Sequence, residues 1–317
     1  MCIRDSSLDA EGNTLVVGAS SEQSAATGVN GEQDDNSILR GAGAAYVFER
    51  TEGVWQQQAY LKASNTGEQD NFGAYVSLSP DGGTVAIAAP FEDSAATGIN
   101  GDQSDNSAGG AGAVYVFVRA NEIWQQQAYL KASNSNNLDQ FGSAVSLSFD
   151  GDTLAVGASN VDNNPFDTLG EAQGAVYIFA RANAVWQEQT FLQASNADSV
   201  DLFGDSVSLS ADGNTLAVGA PSEGSESIGV NGSQITDFTR PFGATYVFTR
   251  SNTIWQQQAY LKASNTDSGD RFGRAVSLSL DGNTLAVGAP RESSAATGVN
   301  GDQNDNSVRA AGAVYLY

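Results

Sequence analysis

Phe272-Gly273-Arg274-Ala275-Val276-Ser277-Leu278-Ser279-Leu280-Asp281-Gly282-Asn283-Thr284-Leu285-Ala286-Val287-Gly288-Ala289-Pro290 is the stretch that decides the fold. Its first eight residues put Phe, Val and Leu on one side of an extended chain and Gly and Ser on the other. That is a period of two, the mark of a strand. Asp281-Gly282-Asn283 is a tight hairpin signal. Thr284 to Ala289 then reads as a second strand with small residues on one face.

The stretch recurs. Phe203-Gly204 is answered by Gly219-Ala220-Pro221, as Phe272-Gly273 is by Gly288-Ala289-Pro290. Phe72 and Phe141 stand at the same distance from Ala88-Ala89-Pro90 and Gly157-Ala158-Ser159. Trp55, Trp124, Trp186 and Trp255 repeat in step, 69, 62 and 69 residues apart. A fixed period of this size fixes architecture before any local reading.

Two more strands complete the unit. Ala113-Val114-Tyr115-Val116-Phe117 is apolar on both faces. A short turn from Arg119 to Glu122 leads to Trp124-Gln125-Gln126-Gln127-Ala128-Tyr129-Leu130-Lys131, which has a polar face. An inner strand with small polar residues, apolar central strands and a solvated outer strand make a β-propeller blade. The expected fold is therefore all-β, a propeller of four-stranded antiparallel blades. About five blades are expected, at approximately 7–64, 65–133, 134–195, 196–264 and 265–317. Cys2-Ile3 stands where Phe-Gly belongs, so residues 1–6 read as a misfit leader in place of the first F-G strand. The chain stops before a fifth Trp strand. A fragment of a larger ring, an open arc, is expected.

F-G, then G-A-P, then G-A-V-Y-V-F resembles the FG-GAP repeat of the integrin α-chain N-terminal propeller and its bacterial relatives. The resemblance runs from about Ser7 onward and includes five G-A-x-Y copies, at Gly43, Gly112, Gly174, Gly243 and Gly312. It implies a propeller, commonly seven-bladed, extracellular or displayed on a cell surface, that acts in adhesion or ligand binding. Family blades that bind calcium carry a D-x-D/N-x-D-G loop between the first two strands. Here only a single Asp precedes Gly at Asp81, Asp150, Asp212 and Asp281, so that site does not carry over.

Composition narrows the partners. With 37 Asp and Glu against 14 Lys and Arg, the net charge is −23. That disfavours nucleic acid and anionic membranes. No apolar run is long enough for a membrane-spanning helix. One Cys and no His exclude a disulfide within the chain and the usual zinc site. Any metal must be held by oxygen. Blade topology puts the second-to-third and blade-to-blade loops at one end, and most of the carboxylates fall there. Arg50, Arg119, Arg181 and Arg250 fall at the other.

The long second-to-third loop repeats nearly verbatim in blades 1, 2 and 5. Side-chain oxygens alternate along it: Asn30, Glu32, Asp34 and Asn36; Asn100, Asp102, Ser104 and Asn106; Asn300, Asp302, Asn304 and Asn306. Alternate oxygens in a glycine-containing turn can wrap Ca²⁺. The same residues suit a metal-free turn. The carboxylate pairs Asp198/Asp201 and Asp267/Asp270 could likewise chelate a cation or cap a turn. The recurring tryptophans read as packing, and the glutamines as a wet outer surface. Blade 4 alone carries an unrepeated loop with Phe238, Arg240 and Phe242, a candidate partner contact.

No motif for catalysis is evident. The expected role is non-catalytic extracellular binding of a protein or glycan through the acidic loops, with calcium assisting. Further blades of the same chain are expected as neighbours. Alternatives are a structural module of a large surface protein, or a propeller enzyme acting on polysaccharide.

Overall fold

The computed structural model describes residues 5–34, 40–161, 172–234 and 240–317. Every element among them is a strand. Blade 1 runs β1 (Asp5–Leu8), β2 (Thr14–Ala19), β3 (Ala44–Thr51) and β4 (Val54–Leu61). Blade 2 runs β5 (Tyr75–Leu78), β6 (Thr84–Ala89), β7 (Ala113–Ala120) and β8 (Ile123–Leu130). Blade 3 runs β9 (Ala144–Leu147), β10 (Thr153–Ala158), β11 (Ala175–Ala182) and β12 (Val185–Leu192). Blade 4 runs β13 (Ser206–Leu209), β14 (Thr215–Ala220), β15 (Ala244–Ser251) and β16 (Ile254–Leu261). Blade 5 has β17 (Ala275–Leu278), β18 (Leu285–Ala289) and β19 (Ala313–Leu316). In each sheet the strands lie in chain order. The fold is the β-propeller that the grading of the strands predicts. Contacts group the chain into two units, one built mainly from blades 1 to 3 and the other from blades 4 and 5.

The first hairpin is held by its own side chains. The Ser79 hydroxyl donates to Asp81 Oδ1 and accepts from Thr84 N, while Gly83 N also donates to Asp81 Oδ1. The same set recurs at Ser148/Asp150, Ser210/Asp212 and Ser279/Asp281. The single Asp before Gly is thus a turn cap.

The F-G dipeptide does not begin the first strand. Gly73 has φ +81°, which breaks the extended run. Phe72 instead bonds back to the preceding blade: its N–H donates to Ala42 O, and it bridges Gly43 in parallel. Its ring plugs the core of its own blade, edge-on to Tyr115 at 5.3 Å and Phe117 at 6.3 Å. Phe272 meets Tyr315 and Tyr317 in the same way. Each aromatic pair is worth about 0.5–1.5 kcal/mol beyond burial.

The small polar side of the first strands joins blade to blade. Ser7 Oγ accepts from Leu78 N at 3.0 Å, Ser77 Oγ from Leu147 N at 3.1 Å, and Ser208 Oγ from Leu278 N at 2.9 Å. This corrects the expectation that blade 1 lacks its first strand. Residues 5–8 pair with β2, and Asp5 Oδ2 also accepts from Val76 N. Pairing uses the backbone and the blade contact uses the Asp5 and Ser7 side chains, so neither needs a Phe-Gly here.

Candidate binding face

The outer strands are less wet than their sequence implies. Lys62, Lys131 and Lys262 are fully buried. Lys62 Nζ donates to Glu22 Oε2 at 2.8 Å and to the carbonyls of Ser24 and Gly43. Lys131 reaches Glu92 at 2.9 Å, and Lys262 reaches Glu223 at 2.7 Å. Burial pulls the Lys131 ammonium below its usual pKa, and the Glu92 charge opposes this. Tyr129 and Tyr260 donate to the same carboxylates. Asn65, from the connection before blade 2, donates to Glu92 and accepts from Tyr115. Asn196 and Asn265 do the same at Glu223 and Glu292. In blades 2, 4 and 5 these nodes tie the second-to-third loop to the connection beside it, so the two loop classes meet at one end of the blade.

The glutamines also work between blades. Gln58 and Gln127 accept the indole N–H of Trp124 and Trp186 at 2.8 and 2.9 Å. Trp124, Trp186 and Trp255 are buried, as packing requires, while Trp55 is 41% exposed.

The repeated loops use their oxygens on themselves. Asn30 Oδ1 accepts from Tyr60 N, and Asn100 Oδ1 from Tyr129 N, pinning the loop to β4 and β8. Both Asn residues, and Asn300, adopt left-handed φ near +54°. Glu32 Oε1 accepts from Asp34 N, Asp102 Oδ1 from Ser104 N, and Asp302 Oδ1 from Asn304 N. Asn306 donates to Asp267, and Asn106 is exposed. Asn36 lies outside the described residues. Among those described, no three His, Cys, Asp or Glu side chains gather as a metal site. These contacts build turns.

The blade-to-blade carboxylate pairs cap turns. Asp70, Asp139, Asp201 and Asp270 are buried, and each accepts the backbone N–H three residues before it. Burial pushes Asp70 up to about 7, helped by the charges of Glu92 and Asp93 and opposed by Lys131. Asp270 is raised to about 6 by the same main cause. In the unfolded chain such a group titrates near 4. The fold therefore binds more protons than the unfolded chain between about pH 4 and 7, and stability falls as pH rises through that window. For Asp70 the effect is on the order of 4 kcal/mol. The thermal midpoint is expected to be lower at pH 8 than at pH 5, with a smaller difference in Asp70→Asn. A midpoint that rises with pH, or an unchanged difference in the variant, contradicts this.

In the unrepeated blade 4 loop, Phe238 lies outside the described residues and Arg240 is exposed. Phe242 is not a surface contact. It is 5% exposed and stacks under the Lys262 ammonium at 5.7 Å. It takes the place that the buried Ala111 holds in blade 2, so it enlarges the core around the buried lysine.

A cleft of about 580 Å³ opens at the acidic end beside blade 2. The exposed Glu68 comes from the β4–β5 connection, Phe91 and Asp93 from the β6–β7 loop, and Leu138 from the β8–β9 connection. Leu138 is 63% exposed at φ +65° and is held there by its N–H bond to Gly109 O. A leucine so placed is unusual and marks a constrained surface. Asp93 Oδ1 accepts from Gly110 N, which fixes its carboxylate at the rim. Sequence reasoning missed Phe91 and Leu138. The signal was there: Leu138, like Val200 in blade 4, is apolar where the other two repeats place Gln69 and Gly269.

Comparison with known protein families matches the FG-GAP repeat over residues 55–117, 124–179, 186–235 and 255–317. The comparison with characterised protein sequences returns no match. Among solved structures, a Pseudomonas aeruginosa periplasmic gluconolactonase is 18% identical, with a TM-score of 0.49. The match covers 89% of this chain and 64% of that one, so this chain spans less than two thirds of its length. The Myceliophteria thermophila Cps50 (Swd1) β-propeller domain is 10% identical at the same TM-score, with 90% and 78% covered. The matched repeats span most of the chain, and in the structure their F-G and G-A-x-Y residues make the contacts between blades: this protein belongs to the FG-GAP repeat family.

Proposed function

We propose that the chain is a non-catalytic binding module, displayed outside the cell, that recognises a protein partner through the cleft beside blade 2. One observation carries this reading. Two carboxylates, Glu68 and Asp93, flank the apolar surface of Phe91 and the exposed Leu138. An apolar floor with an anionic rim suits the aliphatic stem and cationic head of Lys or Arg. The net charge of −23 would speed the approach of a basic surface.

The test uses short peptides with a central Arg or Lys between aliphatic residues, and matched peptides with a central Glu. The basic peptides are expected to bind at least tenfold tighter. Raising salt from about 0.05 to 0.5 M, which shortens the screening length to a few ångströms, is expected to weaken them. The Glu68→Gln, Asp93→Asn double variant is expected to weaken them also. Binding that is absent, or unchanged in that variant, removes the cleft as the site.

A further inference from the structure

In blades 2 and 4 the buried lysine shares its glutamate with an asparagine. Lys131, just after β8, donates from Nζ to Glu92 Oε2 at 2.9 Å and to Ser94 O at 2.7 Å. Asn65, in the β4–β5 connection, donates from Nδ2 to the other oxygen, Glu92 Oε1, at 2.9 Å and to Gln103 O at 3.3 Å. The Asn65 carbonyl oxygen accepts from Tyr115 Oη at 2.5 Å, and Tyr129 Oη donates to Glu92 Oε1 at 2.9 Å. Blade 4 repeats the set. Lys262 Nζ reaches Glu223 Oε2 at 2.7 Å, and Asn196 Nδ2 reaches Glu223 Oε1 at 3.1 Å. Tyr246 Oη donates to Asn196 Oδ1 at 2.7 Å, and Tyr260 Oη to Glu223 Oε1 at 3.0 Å.

Each part suits the making of an amide. Lys131, Glu92, Tyr115 and Tyr129 are all buried. Taking an ammonium out of water favours the neutral amine, which is a nucleophile. Burial does lower the Lys131 ammonium from its usual pKa. A donor on the asparagine carbonyl oxygen polarises the carbon beside it and stabilises the oxyanion that forms on attack. Burial raises the Tyr115 hydroxyl well above its usual pKa, which keeps it such a donor. A carboxylate that touches both nitrogens can take a proton from one and pass it to the other. Asn65 and Asn196 are only half-buried, so a small leaving group has a way out.

We propose that each of these triads joins its lysine to its asparagine through an isopeptide bond. The ion-paired chain is the reactant. In blade 2, Lys131 Nζ attacks Asn65 Cγ as the free amine, and the Cγ–Nδ2 bond breaks. Glu92 takes a proton from Nζ and delivers it to the departing nitrogen. One amide C–N bond forms, one breaks, and one ammonia leaves, so no oxidant or other co-reactant is consumed. The product ties the segment that enters blade 2 to the end of its last strand. In blade 4 the same step joins Asn196 to Lys262, with Glu223 as the proton carrier. Blade 3 keeps Asn134 but has Val161 and Gln193 in the other two places, so it has neither base nor amine. This inference does not rest on the cleft beside blade 2.

The experiment is mass spectrometry of the full chain, freshly purified and after prolonged storage. The intact mass is expected to fall short of the sequence mass by two ammonia molecules. Tryptic digestion is expected to give two branched peptides, one joining Asn65 to uncleaved Lys131 and one joining Asn196 to uncleaved Lys262. Glu92→Gln and Lys131→Met are each expected to remove the first branched peptide and keep the second, which also reports that the variant has folded. Asn65→Ala, at a half-buried position in a connection, is expected to do the same with less disturbance of the core. One branched peptide without the other would confirm the bond in that blade and overturn it in the other. Stored protein with the full sequence mass and no branched peptide overturns the proposal. So does an ammonia loss that survives Lys131→Met and is reversed by hydroxylamine, which marks a cyclic imide at an Asn-Gly pair such as Asn100-Gly101 instead.

Discussion

Lys131→Gln is expected to destabilise the protein by about 3–5 kcal/mol, because it leaves the Glu92 carboxylate buried without its counter-charge. That corresponds to a fall of roughly 10 °C in thermal midpoint. Blade 3 shows how the loss is absorbed. Where blade 2 has Glu92, Tyr129 and Lys131, blade 3 has Val161, Phe191 and Gln193. All three members of the node change together, so no charge or hydroxyl is left without its partner. Asn134 is retained there and still accepts from Tyr177. Writing the blade 3 residues into blade 2, as Glu92→Val, Tyr129→Phe and Lys131→Gln, is expected to bring stability to within about 2 kcal/mol of the parent. Chemical denaturation of the single and triple variants measures both. A triple variant as unstable as Lys131→Gln alone would show that the buried pair is not the source of the loss.

Gly112→Ala is the second large effect. A Cβ at Gly112 would lie 2.2 Å from Phe141 O, and φ there is +84°. The contact cannot be relieved by a rotamer, because the opposing atom is backbone. Overpacking and left-handed strain together should cost about 2–5 kcal/mol. Gly312 has nearly the same backbone, φ +82°, but its nearest neighbour is 3.5 Å away. Gly312→Ala should therefore show the conformational cost alone, about 1–2 kcal/mol. Equal losses in the two variants would mean that the approach of Phe141 contributes nothing.

The strands, the Asp-Gly turns and the propeller itself were legible because they rest on short-range pattern and on repetition. The nodes were not. Lys131 alternates with Gln125 and Gln127 along its strand, so period two puts it on a polar face. It is buried because the β6–β7 loop, carrying Glu92 39 residues earlier, folds back over it. Gln58 and Gln127 read as solvated for a related reason: their partners, Trp124 and Trp186, lie more than 50 residues away. The alternate oxygens of the repeated loops point equally to calcium and to turns, since Asn and Asp serve both. Leu138 and Val200 were visible only as apolar residues at a place where two of the four repeats carry Gln69 and Gly269.

The serine-to-leucine bonds and the F-G bridges have a genetic corollary. The matched segments begin at Trp55, Trp124, Trp186 and Trp255, on the outer strand of one blade, and most run into the third strand of the next. A copying event framed on tryptophan therefore carries a junction whole and cuts through the middle of a sheet. Both cut ends then find their complements in the neighbouring copy, because the pairing registers are the same. A unit copied in that frame would bring a joint between two blades intact, and adding one would require no contact that the chain does not already make.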